Sequence, residues 1–543
     1  MTARTRPAVL CVRPRLAPRT PPFIFGLMNE WLEALALHCD VTVVEEDFDF
    51  LRLCDQARPD FVLFEDLTPY RPIPLRIANA RAHSSVPRMA IAWGDPHDID
   101  RSLLWRVFDE YGVEALFGYG HGHAQHMPEL APHVYSTNLF VDAGVFRDYG
   151  LPKIIPISAF GRLQRPGFYA WRNQTVLELQ QHIPTFVYSH PGYGAEPSHA
   201  FSAVGAHYAK LLNQSHFSLA DTTRLHWVVR KHLEIPAAGS VLVSPDTPPV
   251  GDYGFADMEN CVLGSGDALR AKIDAVSRDP ARYEQIRAAG HALVHARFTR
   301  ESWRTIPEWF ECRRACPPGW IVQQLGQFGP FRIAPEGSPR LLGRTIPDNE
   351  VTSVLRAARD AILCDAPLDA VEAGLHQAIG WIGHLMEAWL LLGVIALLRG
   401  APDRALHCLS RPAALQDGRH RSRGLPAEQL VTYDPVELAW MMIAARVSGD
   451  EALLAATRAA SGRTHHVALR RAAWLLAMLD EGAPARPPPA VQRRLPTDRL
   501  SVHWLGQEDL SAWLGLARRT LAANGVNDAA FSLVADTTPS AAA

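Results

Sequence analysis

Short apolar runs and longer amphipathic stretches alternate along the first 150 residues. "AVLCVR" (8–13), "DVTVVEED" (40–47), "DFVLFED" (60–66), "RMAIAWGD" (88–95) and "VEALFGYG" (113–120) have the length and composition of strands. Between the first two, "FGLMNEWLEALALH" brings Leu27, Trp31 and Leu35 round at helical spacing. Apolar strands alternating with amphipathic helices predict a parallel, doubly wound sheet covered on both faces. After the connector "NLFVDAGVFRDYGLP" (138–152) the alternation resumes. The strand candidates are now "IIPISAFG" (154–161), "PTFVYSHPG" (184–192), "HFSLAD" (216–221), "GSVLVSP" (239–245) and "ENCVLG" (259–264). Helices are predicted in "RNQTVLELQQH" and in "GDALRAKIDAVSRDPARYEQIRAAGHALVHARF". The pattern is that of two Rossmann-like lobes with a cleft between them, and ligands in such sheets bind beyond the carboxyl ends of the strands.

The β signal ends near Thr345. "AWLLLGVIALLRGAPDRALHCL" carries Trp389, Leu392, Gly393, Gly400 and Ala405 at the spacings of a tetratricopeptide-type helix pair. Gly449 and Gly482 stand 33 residues apart, near that repeat's period, but the step from Gly400 to Gly449 is too long for a regular array. A plain α-helical domain and an irregular, tetratricopeptide-like one both fit. "GAPARPPPAVQRR" (482–494) reads as a Pro-rich linker and "DTTPSAAA" as a frayed tail. The predicted organisation is one lobe over 1–150, a second over 151–315, a connector over 316–344, a helical domain over 345–535 and a disordered tail over 536–543.

Composition narrows this picture without changing it. The 543 residues exceed what one hydrophobic core usually serves, and 48% hydrophobic with 20% charged residues is ordinary for a globular protein. A net charge of −3 points to neither nucleic acid nor an anionic membrane. The 8 cysteines are scattered without metal-ligand spacing, which predicts a reduced, cytoplasmic setting and no zinc site. The basic N-terminus lacks the apolar stretch of a secretory signal. The most apolar segment, "LMEAWLLLGVIALL", is too short to span a bilayer and contains Glu387.

"VVRKHLEIPAAGSVLVSP" (228–245) is the first candidate for chemistry. "EIPAAG" reads as one short helical turn or loop feeding a strand, with Pro in a first turn and small residues allowing close approach. A helix N-terminus there would offer N–H groups to phosphate, Arg230 and Lys231 would add positive charge, and Glu234 could accept ribose hydroxyls. Taken alone, so short a stretch fits a surface cation pair with a capping Glu better.

The segment Arg230, Glu234, Ile235, Ala237 and Gly239, followed by "GFADMENCVL" and "RDPARYEQIRAAGHALVHARFT", resembles the donor-binding lobe of GT-B glycosyltransferases. The nearest likeness is to the spore-maturation-protein, or CgeB-like, group. "YSTNLFVDAGVFRDYG" is similar to the junction between lobes in such enzymes, and "YAKLLNQSHFSLAD" to the segment before the donor loop. The resemblance covers roughly 1–330 and is strongest over 205–305. It implies a GT-B fold, to which the helical pattern after Thr345 adds an all-α domain, with a nucleotide diphosphate sugar as donor on the second lobe, an acceptor on the first, and no metal or cofactor; the helical domain points to a glycan or protein as that acceptor. His226 stands where such enzymes often carry a sugar-contacting carboxylate, and their N-terminal Gly-rich loop is replaced by "RPRLAPRTPPF". Sugar identity therefore does not transfer.

"SAFGRLQRPGFYAWR" follows the first strand of the second lobe and offers Gly161, Arg162, Arg165 and Arg172. In related transferases cations at this place neutralise the leaving diphosphate, and the resemblance gives those parts to Arg162 and Arg165. Fixed cations lower the barrier because departure of the diphosphate builds negative charge. In "WGDPHDID" (93–100), Asp95 or His97 is placed to take a proton from an acceptor hydroxyl, while Asp98 suits the cap of the following helix. The pair Asp98/Asp100 is not read as a metal site. The loop "GYGHGHAQHMPE" gathers His121, His123 and His126, and "SHPGYG" places His190 near the donor. Trp303, Trp309 and Phe310 are predicted to pack a helix back onto the first lobe. Helical repeats commonly present a binding face, so the helical domain is a candidate site for a protein partner. A catalytically inactive scaffold and a sugar-nucleotide epimerase stand as the alternatives to a transferase.

Overall fold

The computed structural model describes residues 6–16, 22–65, 75–92, 94–119, 122–161, 163, 167–189, 203–342, 348–422, 433–461, 466–481, 505 and 510–526. The first lobe is a six-stranded parallel sheet. Its strands are β1 (Ala8–Val12), β2 (Asp40–Val44), β3 (Phe61–Glu65), β4 (Arg88–Ala92), β5 (Ala115–Tyr119) and β6 (Val134–Thr137), in the order β2-β1-β3-β4-β5-β6. All five strands read from the apolar runs are present. The sixth, β6, was missed because "VYST" is only four residues long and half polar.

The second lobe is a five-stranded parallel sheet of β7 (Ile155–Phe160), β8 (Thr185–Tyr188), β9 (Ser215–Leu219), β10 (Val241–Ser244) and β11 (Val262–Leu263), ordered β8-β7-β9-β10-β11. In both sheets the order reverses beside the first strand, which opens a crevice at the carboxyl edge. The long helix expected over 266–297 is two helices, Gly266–Arg278 and Pro280–Arg297. Pro280 cannot continue the first, and Asp279 caps the second by accepting from the Arg282 amide at 3.0 Å. The chain crosses between lobes twice at one place, where the Val141 amide donates to Phe298 and Arg300 donates back to Val141.

The helix Thr305–Ala315 returns to the first lobe, as its aromatics predicted. Trp303, Trp309 and Phe310 are buried in one cluster with Val9, Phe61, Phe117 and Tyr135. The connector then forms a three-stranded sheet, β12 (Trp320–Leu325), β13 (Phe331–Pro335) and β14 (Leu341–Leu342), with β12 central. Gln324 joins it to the first lobe, accepting from the Ser136 amide and donating to the Ser136 carbonyl, both at 2.9 Å.

Beyond it lie eight helices among the described residues, from Glu350–Leu363 to Leu510–Ala523, around one apolar core. Gly393 lets the helix Met386–Leu398 press against Pro402–Ser422, because a Cβ there would lie 2.6 Å from Leu409. Gly449 ends the helix Pro435–Ser448 in the left-handed conformation, whereas Gly482 lies outside the described residues. No described helix is long and apolar enough to cross a membrane.

The helical region rests on the first lobe through buried charge. Glu387 accepts from Arg101 at 2.5 Å and lies 2.6 Å from His126 Nδ1, with all three side chains almost wholly buried. Arg419 reaches Asp98 at 2.6 Å.

Candidate active site

A cavity of about 210 Å³ lies between the lobes at the carboxyl ends of their strands. The first lobe supplies Met28, Glu30 and Trp31 from the helix Pro22–Ala36, Asp95 from the segment after β4, and Tyr119 from the end of β5. Leu139 and Phe140 form the back, and the loop Trp227–Arg230 of the second lobe closes the other side. Arg13, just past β1, fixes the helix that carries Glu30. Its guanidinium is buried against Glu65 at 2.8 Å and donates to the Asn29 side chain at 2.9 Å. Gly122 lets Trp227 approach the first lobe, since a Cβ there would meet the indole at 2.6 Å.

Arg230 joins the two lobes. It pairs with Glu30 at 2.6 Å and with Glu234, one turn along its own helix, at 3.3 Å. Burial works against the charge on Arg230, but the two carboxylates outweigh it and raise the pKa. Burial raises the pKa of Glu30, and Arg230 only partly offsets it.

The helix behind this pair runs Lys231–Ala237. Pro236 sits in its last turn rather than its first, and Gly239, at φ 79°, ends it. His232 pins the helix to β10 through Ser244 Oγ at 3.0 Å, and burial pushes its pKa down to about 4. Lys231 is half-buried, and no ion pair to it is found among the described residues. Burial lowers its pKa, with Glu234 opposing and Arg172 and Arg230 adding to the shift.

Arg172 was noted in the sequence without a role. It is buried at the end of β7, its guanidinium 4.3 Å from the Tyr169 ring and 3.3 Å from the Phe160 carbonyl. Gly161, at φ 135°, is the residue that admits it, since a Cβ would come within 2.6 Å of the guanidinium. The Tyr208 hydroxyl, also buried, has no hydrogen-bond partner among the described residues, and its electrostatic neighbours are Glu234, Arg172 and Arg230. Arg172, Arg230, Lys231 and Glu234 thus form one charged group on the carboxyl edge of the second sheet. Arg162 and Arg165 lie outside the described residues, as do His121 and His190.

Asp95 and His97 separate in role. Asp95 opens onto the cavity with its side chain 48% exposed, yet it sits deep between the lobes. That depth and the neighbouring Asp98 carboxylate push its pKa up to about 6. His97 does not line the cavity; it is buried, with Nε2 3.9 Å from Asp95 and its ring 5.5 Å from His384 of the helical region and 5.2 Å from Phe168 of the second lobe. Burial, followed by His126, pushes its pKa down to about 3, so it is a neutral packing group and a poor base. The Asp98 carboxylate reaches Arg419.

Two further expectations fall elsewhere. Gly239 lies at the amino edge of the second sheet, where its carbonyl accepts from Lys153 at 2.5 Å, so it terminates a helix away from the cleft. His226, at φ 55°, does not line the cavity; burial lowers its pKa, opposed by the charge of Glu350 of the helical region. His123 and His126 are buried beneath the helical region, and no cluster of metal-ligating side chains is found among the described residues.

Sequence reading missed Glu30, Tyr119 and Trp227. Only Trp227 carried a signal, as an aromatic just ahead of a paired cation.

Residues 172–305, which hold Arg172, Arg230, Lys231 and Glu234, match the family model described as glycosyl transferase-like. The second lobe is therefore glycosyltransferase-like in sequence, within a fold of two facing Rossmann-like lobes. No curated protein matches the chain. Among solved structures, the sucrose-phosphate synthase of Thermosynechococcus elongatus is similar at 11% identity and a TM-score of 0.39, over 55% of this chain and 96% of that one. A glycosyltransferase from Rickettsia africae ESF-5 is similar at 9% identity and a TM-score of 0.36, over 57% and 98%. HepE of Anabaena, solved with UDP-glucose, is similar at 10% identity and a TM-score of 0.35, over 57% and 100%. At such scores these partial likenesses carry no conclusion about chemistry.

Proposed function

We propose that the protein is a GT-B glycosyltransferase that moves a sugar from a nucleotide diphosphate sugar to an acceptor hydroxyl in the interlobe cleft. The observation that carries this reading is the meeting of Asp95 and Arg230, from different lobes, on one cavity. Lys231, Arg172 and Arg230 would hold the diphosphate, where fixed cations stabilise the charge that builds as it leaves. Glu234 would accept from the ribose. Arg230 can turn to the donor because an incoming diphosphate replaces Glu30 as its counter-charge.

Asp95 would take the acceptor proton. With a pKa of about 6 it is ionised at neutral pH while remaining basic enough to accept a proton. The Arg-x-x-x-Glu segment supports placing the chain in the CgeB-like group. The close crossing at Gly393 supports a tetratricopeptide-like character for the helical region. A metal-independent reaction, a glycan or protein acceptor and a cytoplasmic location complete the proposal.

A thermal-shift screen of the full chain against UDP, GDP, CDP, ADP and their sugars tests it, since a ligand that binds the folded state raises its melting temperature. Mass analysis of the products follows. A shift with sugar transfer supports the reading. Binding without transfer or hydrolysis favours a scaffold, and isomerised donor without an acceptor favours an epimerase. No binding and no turnover would sink the proposal.

A further inference from the structure

The loop Asp221–Arg230 carries Trp227 and Arg230 into the cleft, yet much of its support comes from outside its own lobe. Thr223 and His226 both have positive φ, 63° and 55°, a conformation that non-glycine residues keep only when their surroundings enforce it. Within the second lobe, the Thr223 amide donates to Asp221 at 3.0 Å and Arg224 Nε to the Gly167 carbonyl at 3.0 Å. The Arg172 amide also donates to Asp221 at 2.9 Å, and Arg224 donates from its amide to the Phe168 carbonyl at 3.1 Å. The helical region adds a second set of contacts. Asn349, which caps the helix Glu350–Leu363, also donates to the Leu225 carbonyl at 3.2 Å. Glu350 pairs with Arg224, whose guanidinium lies 4.3 Å from the Trp381 ring. Leu225 and Phe168 both pack against the helical core.

We infer that the helical region is a working part of the donor site. It sets the position of Trp227 and Arg230 through Arg224, a positioning residue gripped by Glu350 and Trp381. This rests on the transferase reading for its consequence in catalysis, but not for the mechanical coupling itself.

Hydrogen exchange on the full chain tests the coupling directly. In Trp381→Leu, peptides spanning 221–230 are expected to exchange roughly tenfold faster, while β7, β9 and β10 keep their protection. Glu350→Ala, at a half-exposed side chain, is expected to give roughly threefold in the same peptides. If Trp381→Leu loosens the whole helical region, Glu350→Ala decides, because its loss leaves the core intact. The donor KM should rise in step with the exchange, with little change in kcat. Unchanged exchange over 221–230 in Glu350→Ala, with or without an effect of Trp381→Leu, overturns the inference. Faster exchange with no nucleotide binding by the unaltered protein would leave the coupling standing and defeat the transferase reading instead.

Discussion

Glu30 and Arg230 meet at 2.6 Å across the interlobe cleft, each from a different lobe, and their pair occupies the cation that a donor diphosphate would need. The contact bridges the lobes, and on the proposed function donor binding would exchange one anion for another at Arg230.

Removing that competitor should tighten donor binding. Glu30→Gln is expected to bind nucleoside diphosphate more strongly by roughly fivefold, because a charge-assisted contact no longer has to be given up. Calorimetry reads the effect, and weaker binding in Glu30→Gln would show that Glu30 supports the site rather than competing for it.

The cations behind the pair should carry the affinity. Lys231→Met keeps the aliphatic stem and removes the charge, so nucleotide binding should fall about tenfold with the melting temperature nearly unchanged. An unaltered Kd would place the phosphates elsewhere.

Asp95→Asn is expected to lower kcat by about 10²- to 10⁴-fold while leaving donor affinity intact. The base must be unprotonated, so activity of the unaltered enzyme should fall as pH drops through about 6, the raised pKa of Asp95. His97→Phe, which keeps the stack on His384 and Phe168, should retain activity. Loss of turnover in His97→Phe at normal melting temperature would return His97 to the chemistry.

Acid should destabilise the fold through its buried histidines. His97 and His123 are held near 3, and His232 and His384 near 4, below an ordinary value of 6.5, in each case chiefly by burial. A depressed folded-state pKa means that the unfolded chain takes up protons first as pH falls. Stability is therefore complete above about 6.5 and is lost progressively on descending through 4 toward 3. Melting temperature measured across that range should fall steeply, and a flat profile would show that these rings are not buried neutral.

Much of the architecture was readable because burial imposes a local rule. A strand covered on both faces must be apolar along its length, and β1, β3, β4 and β5 announce themselves in that way. β6 escaped because half of its residues are polar, and its Ser136 is satisfied by Gln324, which no local pattern foretells. Arg230 and Lys231 were recognisable as cations at the amino end of a short helix. Arg172 was visible only as one arginine among several, and its place beside Gly161 had to come from the fold. His97, like Asp95, follows a strand that ends on the cleft edge, but the fold buries its ring between His384 and Phe168.

What the sequence by itself determined is the succession of strands and helices, the two lobes and the helical region after them. Each depends on neighbours within one element or one repeat of the pattern. What only the tertiary structure decided is which charges meet. Glu30 finds Arg230 from another lobe, and Glu387 finds His126 from 261 positions away. A polar side chain carries no periodicity that names its partner. The partner is set by where packing of the apolar surfaces leaves two opposite charges facing each other out of water.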